Sequence, residues 1–201
     1  YRCHTPGRAL VDRGHDVVMD HAPPMERLAA SDVLVLQRPS RQAAAQLAGV
    51  AVRDGKTVVV DIDDDLWNIH RSNPAASAWT PDRLGVLESA IRVASVVTVS
   101  TPELGERVRG LNRRIVVVPN MLPAHAWPEA DRLGERDSKR LTVGWAGSIS
   151  HLSDLMLLTG VPEAILERFP HVDFAFAGLR EVPFRHHERI RLSCRMSDMR
   201  P

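Results

Sequence analysis

Four residues dominated by β-branched apolar side chains, TVVV at 57–60, lead directly into four carboxylates within five positions: Asp61, Asp63, Asp64 and Asp65. A short uninterrupted run of this kind reads as a strand buried on both faces, as in a parallel sheet. Carboxylates spaced this closely repel one another and cannot all be buried alone. They belong at the open end of the strand, in water or against a cation or a polar ligand. In open α/β sheets ligands bind beyond the carboxyl ends of the strands, so the acidic end of this strand is a candidate site.

The rest of the chain repeats the alternation. Residues 6–13 predict a short helix that Gly14 ends, and residues 16–19 a strand. That helix has no strand before it, so the first strand of such a sheet is expected to lie before Tyr1. Residues 33–37 predict a buried strand, and 41–52 a helix rich in Ala and Leu, with Ser40 as cap and Gly55 as terminator. Residues 68–79 read as a loop broken at Asn73-Pro74. Thr80-Pro81 and Thr101-Pro102 each place a hydroxyl cap before a proline at the first helical position, and strands follow at 96–99 and 115–118. Over residues 1–120 this argues for an α/β domain with a parallel sheet and helices on both faces. Residues 121–139, rich in charge, Pro and Ala, read as a linker. A strand at 141–145, a helical segment over 150–168 interrupted near Gly160 and Pro162, and a strand at 172–176 open a second α/β domain. That domain is incomplete within 140–201, since one of ordinary size needs roughly another hundred residues.

Composition narrows the classes. The net charge of +1 offers no basic footprint for nucleic acid. Cys3 and Cys194 lie at opposite ends and form no CxxC pair, for which a reduced, cytoplasmic protein is the simpler reading. No apolar run approaches the ~18 residues of a membrane span, and no signal peptide is visible.

Several residues are candidates for chemistry. Gly147-Ser148 lies between a strand and a helix, where backbone N–H groups make an anion site. The same residues also describe an ordinary turn with Ser148 or Ser150 as a cap. Asp63, Asp64 and Asp65 admit three readings: a carboxylate that orients or deprotonates a substrate hydroxyl, a hard-oxygen site for Mg²⁺ or Mn²⁺, or a solvated loop. His151 and Asp154 share one helix face and could reach a substrate or pair with each other in solvent. Asn120 after Pro119 is a cleft or a turn residue. Trp67 and Trp145 read as packing residues at strand ends. A nucleophile elbow is disfavoured at Gly147-Ser148, because the G-x-S-x-G spacing is missing and no HGG-type oxyanion segment is present.

Several segments, in order, resemble one family. They are Tyr1-Arg2; Pro6 and Leu10; Arg13-Gly14-His15-Asp16-Val17; Val60-Asp61-Ile62-Asp63-Asp64-Asp65-Leu66-Trp67; Val97-Thr98-Val99-Ser100-Thr101; Val117-Val118-Pro119-Asn120; and Val143-Gly144-Trp145-Ala146-Gly147-Ser148 with His151 and Asp154. Together these resemble glycosyltransferases of the two-Rossmann-domain (GT-B) fold, nearest to glycosyltransferase family 4. The resemblance spans roughly residues 1–178. It implies a Rossmann-like acceptor domain over 1–120 and the start of a Rossmann-like donor domain over 140–201. The family's Gly-rich first loop would precede Tyr1, and its Glu-x7-Glu segment would follow Pro201. Its lysine after the Gly-Ser loop has no counterpart here, where His151 and Asp154 stand.

The resemblance implies sugar transfer from a nucleotide-diphosphate sugar to a glycan, lipid or small-molecule acceptor. Gly147, Ser148, His151 and Asp154 would contact the donor phosphates. Tyr1, Arg2 and Asn120 would line the cleft, with Asp63–Asp65 on the acceptor side. No cofactor is required by this reading. Asp63-Asp64-Asp65 also matches, over three residues, the DxD of the metal-dependent glycosyltransferase fold, which would bring in Mg²⁺ or Mn²⁺. A lipid acceptor would bring the protein to a membrane surface without a transmembrane segment. A chain that keeps the fold but has lost catalysis, and binds an acceptor or partner, is the alternative from another class.

Overall fold

The computed structural model describes residues 2–121 and 139–193. The chain divides into two compact units, each built on one parallel sheet. The expected linker at 121–139 falls almost wholly outside the described residues, as do Tyr1 and Cys194.

The first unit opens with α1 (His4–Val11) and α2 (Met25–Ala30). Gly14 takes φ +89° where the chain leaves α1, a conformation that favours glycine. Residues 16–19, expected as a strand, join no ladder. The sequence also gave no sign of α2, which is six residues long and contains no buried residue. Lys56 ties it down, its Nζ donating to the carbonyls of Ala29 and Ser31 at 2.7 and 2.6 Å.

The sheet itself follows the predicted alternation: β1 (Val33–Gln37), α3 (Gln42–Arg53), β2 (Thr57–Ile62), α4 (Pro81–Val93), β3 (Val96–Val99), α5 (Pro102–Val108) and β4 (Ile115–Val117). Both threonine caps form as expected: Thr80 accepts from the Arg83 N–H and Thr101 from the Leu104 N–H. Arg41, not Ser40, occupies the cap position of α3 and makes no side-chain cap bond. The strands lie in the order β1-β2-β3-β4, all parallel. Strands that advance steadily through right-handed crossovers set their connecting helices on one side.

That side is the core. Leu34 and Leu36 of β1 join Val58 of β2 against Ala48, Ala51 and Val52 of α3. Gly105 brings α5 close enough to Val99 and Ile115 that an added Cβ would touch both. The Asn112 side-chain amide donates to the carbonyls of Ile91 and Ala94, closing the end of α4. The other face of the sheet is covered unequally. Val33, Val35 and Val116 stay about half exposed there, whereas Asp61 on the same face is buried. Cover reaches that face at its carboxyl edge, where Arg2 meets Asp61.

The second unit contains β5 (Leu141–Ala146), a 3₁₀ turn over Ile149–His151, α6 (Leu152–Met156), α7 (Val161–Arg168), β6 (Val172–Ala177) and β7 (Ile190–Ser193). The expected interruption is real: Gly160 takes φ +82° and caps α7, with Pro162 in its first turn. The strands pair in parallel in the order β5-β6-β7. Phe174 and Phe176 pack with Leu155, Leu166 and Leu179, with Trp145 and Phe184 against them. Trp145 is thus the packing residue expected of it. No period in the sequence marked β7, because no helix comes before it. Leu179, Val182 and Phe184 of the incoming loop fill the helix's place. Arg189 holds that loop to the end of α7, donating to the carbonyls of Leu166, Phe169 and Val172.

Gly178 also has positive φ, at +90°, and a Cβ there would stand 2.0 Å from the Gly147 carbonyl oxygen. Gly178→Ala should therefore lose more than the ~1–2 kcal/mol of a left-handed non-glycine residue. Gly14→Ala, with open space around its Cβ, should lose about that alone. Urea denaturation of the two variants checks the contrast.

Candidate functional site at the carboxyl edges of the strands

The acidic end of β2 lies at the carboxyl edge of the first sheet, and each of its carboxylates has found a guanidinium. Asp61, on the face opposite the helices, is buried and accepts from Arg2 Nε at 3.1 Å, Arg2 Nη2 at 2.5 Å and the Thr98 hydroxyl at 2.6 Å. The bond from Asp61 in turn raises the Arg2 pKa above its ordinary value. Arg2 Nη1 donates to the Val118 carbonyl at 2.5 Å and to Asn120 Oδ1 at 3.1 Å. Arg2 and Asn120, read as cleft-lining residues, are thus joined to each other and to β2.

Asp63 and Asp64 share Arg38. Its Nε donates to Asp63 at 2.6 Å and its Nη2 to Asp64 at 2.7 Å. The Asp63 bond is the main cause of a raised Arg38 pKa, and burial opposes it. Asp65 lies 3.7 Å from Arg107, whose guanidinium also covers the Trp67 ring at 5.6 Å. The Trp67 indole donates to Glu88 at 3.0 Å. The Ser100 hydroxyl donates to the Asp63 carbonyl and so closes the turn from the β3 side.

Of the water, cation or polar ligand expected at the acidic run, cations are supplied from within the chain. Among the described residues no three His, Cys, Asp or Glu side chains are grouped so as to hold a metal ion. Asp63 and Asp64 share Arg38 and Asp65 turns to Arg107, so the three are held by arginines. Arg2, Gln37, Arg38 and Asp63 line an open recess of about 320 Å³. Arg38 is the residue that sequence reasoning missed. Its φ of +46° makes it the one non-glycine residue with positive φ among those described, and Pro39 after it restricts the backbone further. Nothing in the local sequence marks an arginine for that conformation. Its N–H donates to the Asp61 carbonyl, so the pairing of β1 with β2 fixes where it stands.

In the second unit Gly147 and Ser148 follow β5 directly. The Gly147 N–H is taken by the Ala177 carbonyl. A Cβ on Gly147 would meet the Trp145 ring at 2.5 Å, so both glycines of this edge are fixed by close packing. Ser148 makes no side-chain cap bond; its hydroxyl meets that of Ser150 at 2.5 Å. The helices that follow are one 3₁₀ turn and the five residues of α6, too short for a large dipole. His151 Nδ1 and Asp154 pair at 2.9 Å in solvent. Arg180, exposed and three residues beyond β6, is a further cation after this edge.

No family model and no curated protein matches the chain. Among solved structures it is similar to a protein from Listeria monocytogenes described as a UDP-N-acetylglucosamine 2-epimerase, with 14% identity and a TM-score of 0.41. The match covers 84% of this chain and 48% of that one, so the chain spans about half of that protein's length. No helix among the described residues is long and apolar enough to cross a membrane.

Removing one partner of a buried ion pair strands the other charge. Asp61→Asn or Arg2→Ala should therefore cost about 3–5 kcal/mol, while Arg107→Ala, at an exposed pair, should cost less than about 1 kcal/mol. Urea midpoints at constant slope would separate them. Glu163, in the first turn of α7, accepts the Arg185 N–H at 2.9 Å, which with its own N–H holds its carboxyl below the ordinary range. A carboxyl depressed in the folded state adds stability above its unfolded pKa of about 4.3 and loses it as pH falls through the folded value. Glu163→Gln should flatten that acid limb, seen as tryptophan-detected unfolding between pH 3 and 6.

Proposed function

We propose that the chain is part of a GT-B-type glycosyltransferase that moves a sugar from a nucleotide-diphosphate donor to a hydroxyl acceptor. The observation that carries this reading is the presence of two successive parallel α/β units, each ending its strands in a polar turn. That is the edge at which open α/β sheets take their ligands. The ordered segments from Arg13 to Ser148 point the same way.

In this reading the donor phosphates lie at the turn after β5. Gly147 and Gly178 carry no side chains there, and the Ser148 and Ser150 hydroxyls and the N–H groups that follow supply donors. Charge developing on the leaving diphosphate is met by those donors and by Arg180. No metal is needed for that step. His151 and Asp154 border the site. The acceptor lies at the carboxyl edge of the first sheet, beside Asp63, Asp64 and Asp65. The arginine partners of those three carboxylates support a second reading: an acceptor-binding module without catalysis.

The test is a titration of the chain with UDP and GDP, repeated on Ser148→Asp, which sets a negative charge where the phosphates are placed. Binding that weakens at least tenfold in the variant supports the donor site. A folded parent that binds neither nucleotide overturns the transferase reading and leaves the binding module.

A further inference from the structure

The recess at the first sheet's carboxyl edge has a charge pattern that limits what can enter it. Two guanidiniums, Arg2 and Arg38, pair with three carboxylates, Asp61, Asp63 and Asp64, so the paired group carries one excess negative charge; Arg2, Arg38 and Asp63 of this group line the recess, and Asp64 is bonded to Arg38 beside it. An anion would meet that excess and would have to compete with Asp64 for Arg38. A cation would meet two guanidiniums. A neutral group with hydroxyls that both donate and accept meets neither penalty.

The pairs also differ in how firmly they are held. Arg2 and Asp61 are buried and fully engaged with each other, Thr98, Val118 and Asn120. Arg38 is one-third exposed, Asp63 is 14% exposed and Asp64 is 62% exposed. The Arg38–Asp64 contact is therefore screened by water and worth little, and a ligand can replace it without stranding a buried charge. The Arg38–Asp63 pair stays and presents donors and an acceptor side by side. Arg38 holds this place in a backbone conformation that costs an arginine free energy, and such costs gather at ligand-binding positions.

We propose that this recess binds a neutral polyhydroxylated group, with Arg38 donating to its hydroxyl oxygens and Asp63 accepting from a neighbouring hydroxyl. This rests on the transferase reading, in which it names the acceptor's class and makes Arg38 the residue that recognises it.

The experiment uses the whole 201-residue chain. Methyl α-D-glucopyranoside and glucose 6-phosphate are titrated separately and followed by saturation-transfer NMR and by the arginine Nε–H resonances. The neutral glycoside should bind and shift the Arg38 signal, and it should bind more tightly than the phosphate. Arg38→Lys and Asp63→Asn should each weaken it at least tenfold. Arg38→Gly, which relieves the backbone, should stay folded and lose binding. Tighter binding of the phosphate, or unchanged glycoside binding in Arg38→Lys, overturns the proposal. If the parent binds UDP or GDP but not the glycoside, the proposal falls and the transferase reading stands. If it binds none of them, both fall.

Discussion

A carboxylate buried at the end of a strand must have a cation, and Asp61 takes one from a residue 59 positions away in the chain. The Arg2 guanidinium fills both Asp61 oxygens and then spans to the Val118 carbonyl and Asn120. One side chain thereby fixes the start of the chain, the middle of the sheet and the exit from β4. The net gain from burying such a pair is small, because desolvation offsets most of the attraction. Any other arrangement, however, leaves a bare charge in the interior. The pair acts as a constraint on how these segments meet, and the recess beside it inherits its shape from that constraint.

The helices and the carboxylates settle opposite faces of the same sheet. Apolar residues of β1, β2 and β3 meet α3, α4 and α5, and that side behaves as an ordinary core. On the other side the apolar positions of β1 and β4 remain half exposed, and order comes from ion pairs at one edge. Arginine suits this work better than lysine, since its planar fork satisfies two carboxylate oxygens, or two separate carboxylates, at once. Arg2 does the first and Arg38 the second.

Strand positions were legible in the sequence because the local signals agreed. β-branched runs gave the strands, and the Thr-Pro pairs gave the starts of α4 and α5 through a cap that forms as written. β7 was not legible, because a loop with Leu179, Val182 and Phe184 does what a periodic helix would have announced. The segment at 16–19 carries a strand-like run but finds no neighbour to pair with, and propensity without a partner makes no ladder. The acidic run at Asp61–Asp65 called for water, a cation or a polar ligand, without deciding among them. Arg2, Arg38 and Arg107 are distant in sequence, and only the parallel register brings them to the same edge. The backbone of Arg38 was legible nowhere, since its bond to Asp61 accompanies a conformation that neither its own preference nor the proline after it favours.

The two sheets finish their strands in contrasting ways, and the contrast bears on what each can hold. The first ends in carboxylates that are neutralised by arginines, with one negative charge left over. The second ends β5 and β6 without an acid: Ala146-Gly147-Ser148 and Ala177-Gly178 bring backbone against backbone, with hydroxyls and Arg180 following. An edge of hydroxyls followed by a cation favours an anion, whereas an edge with excess carboxylate turns one away and offers acceptors to hydroxyls. The transferase reading proposed above assigns the diphosphate to the second edge and the acceptor hydroxyl to the first. The same chemistry run with the charges exchanged would place the diphosphate against Asp64, where repulsion would oppose binding from the outset.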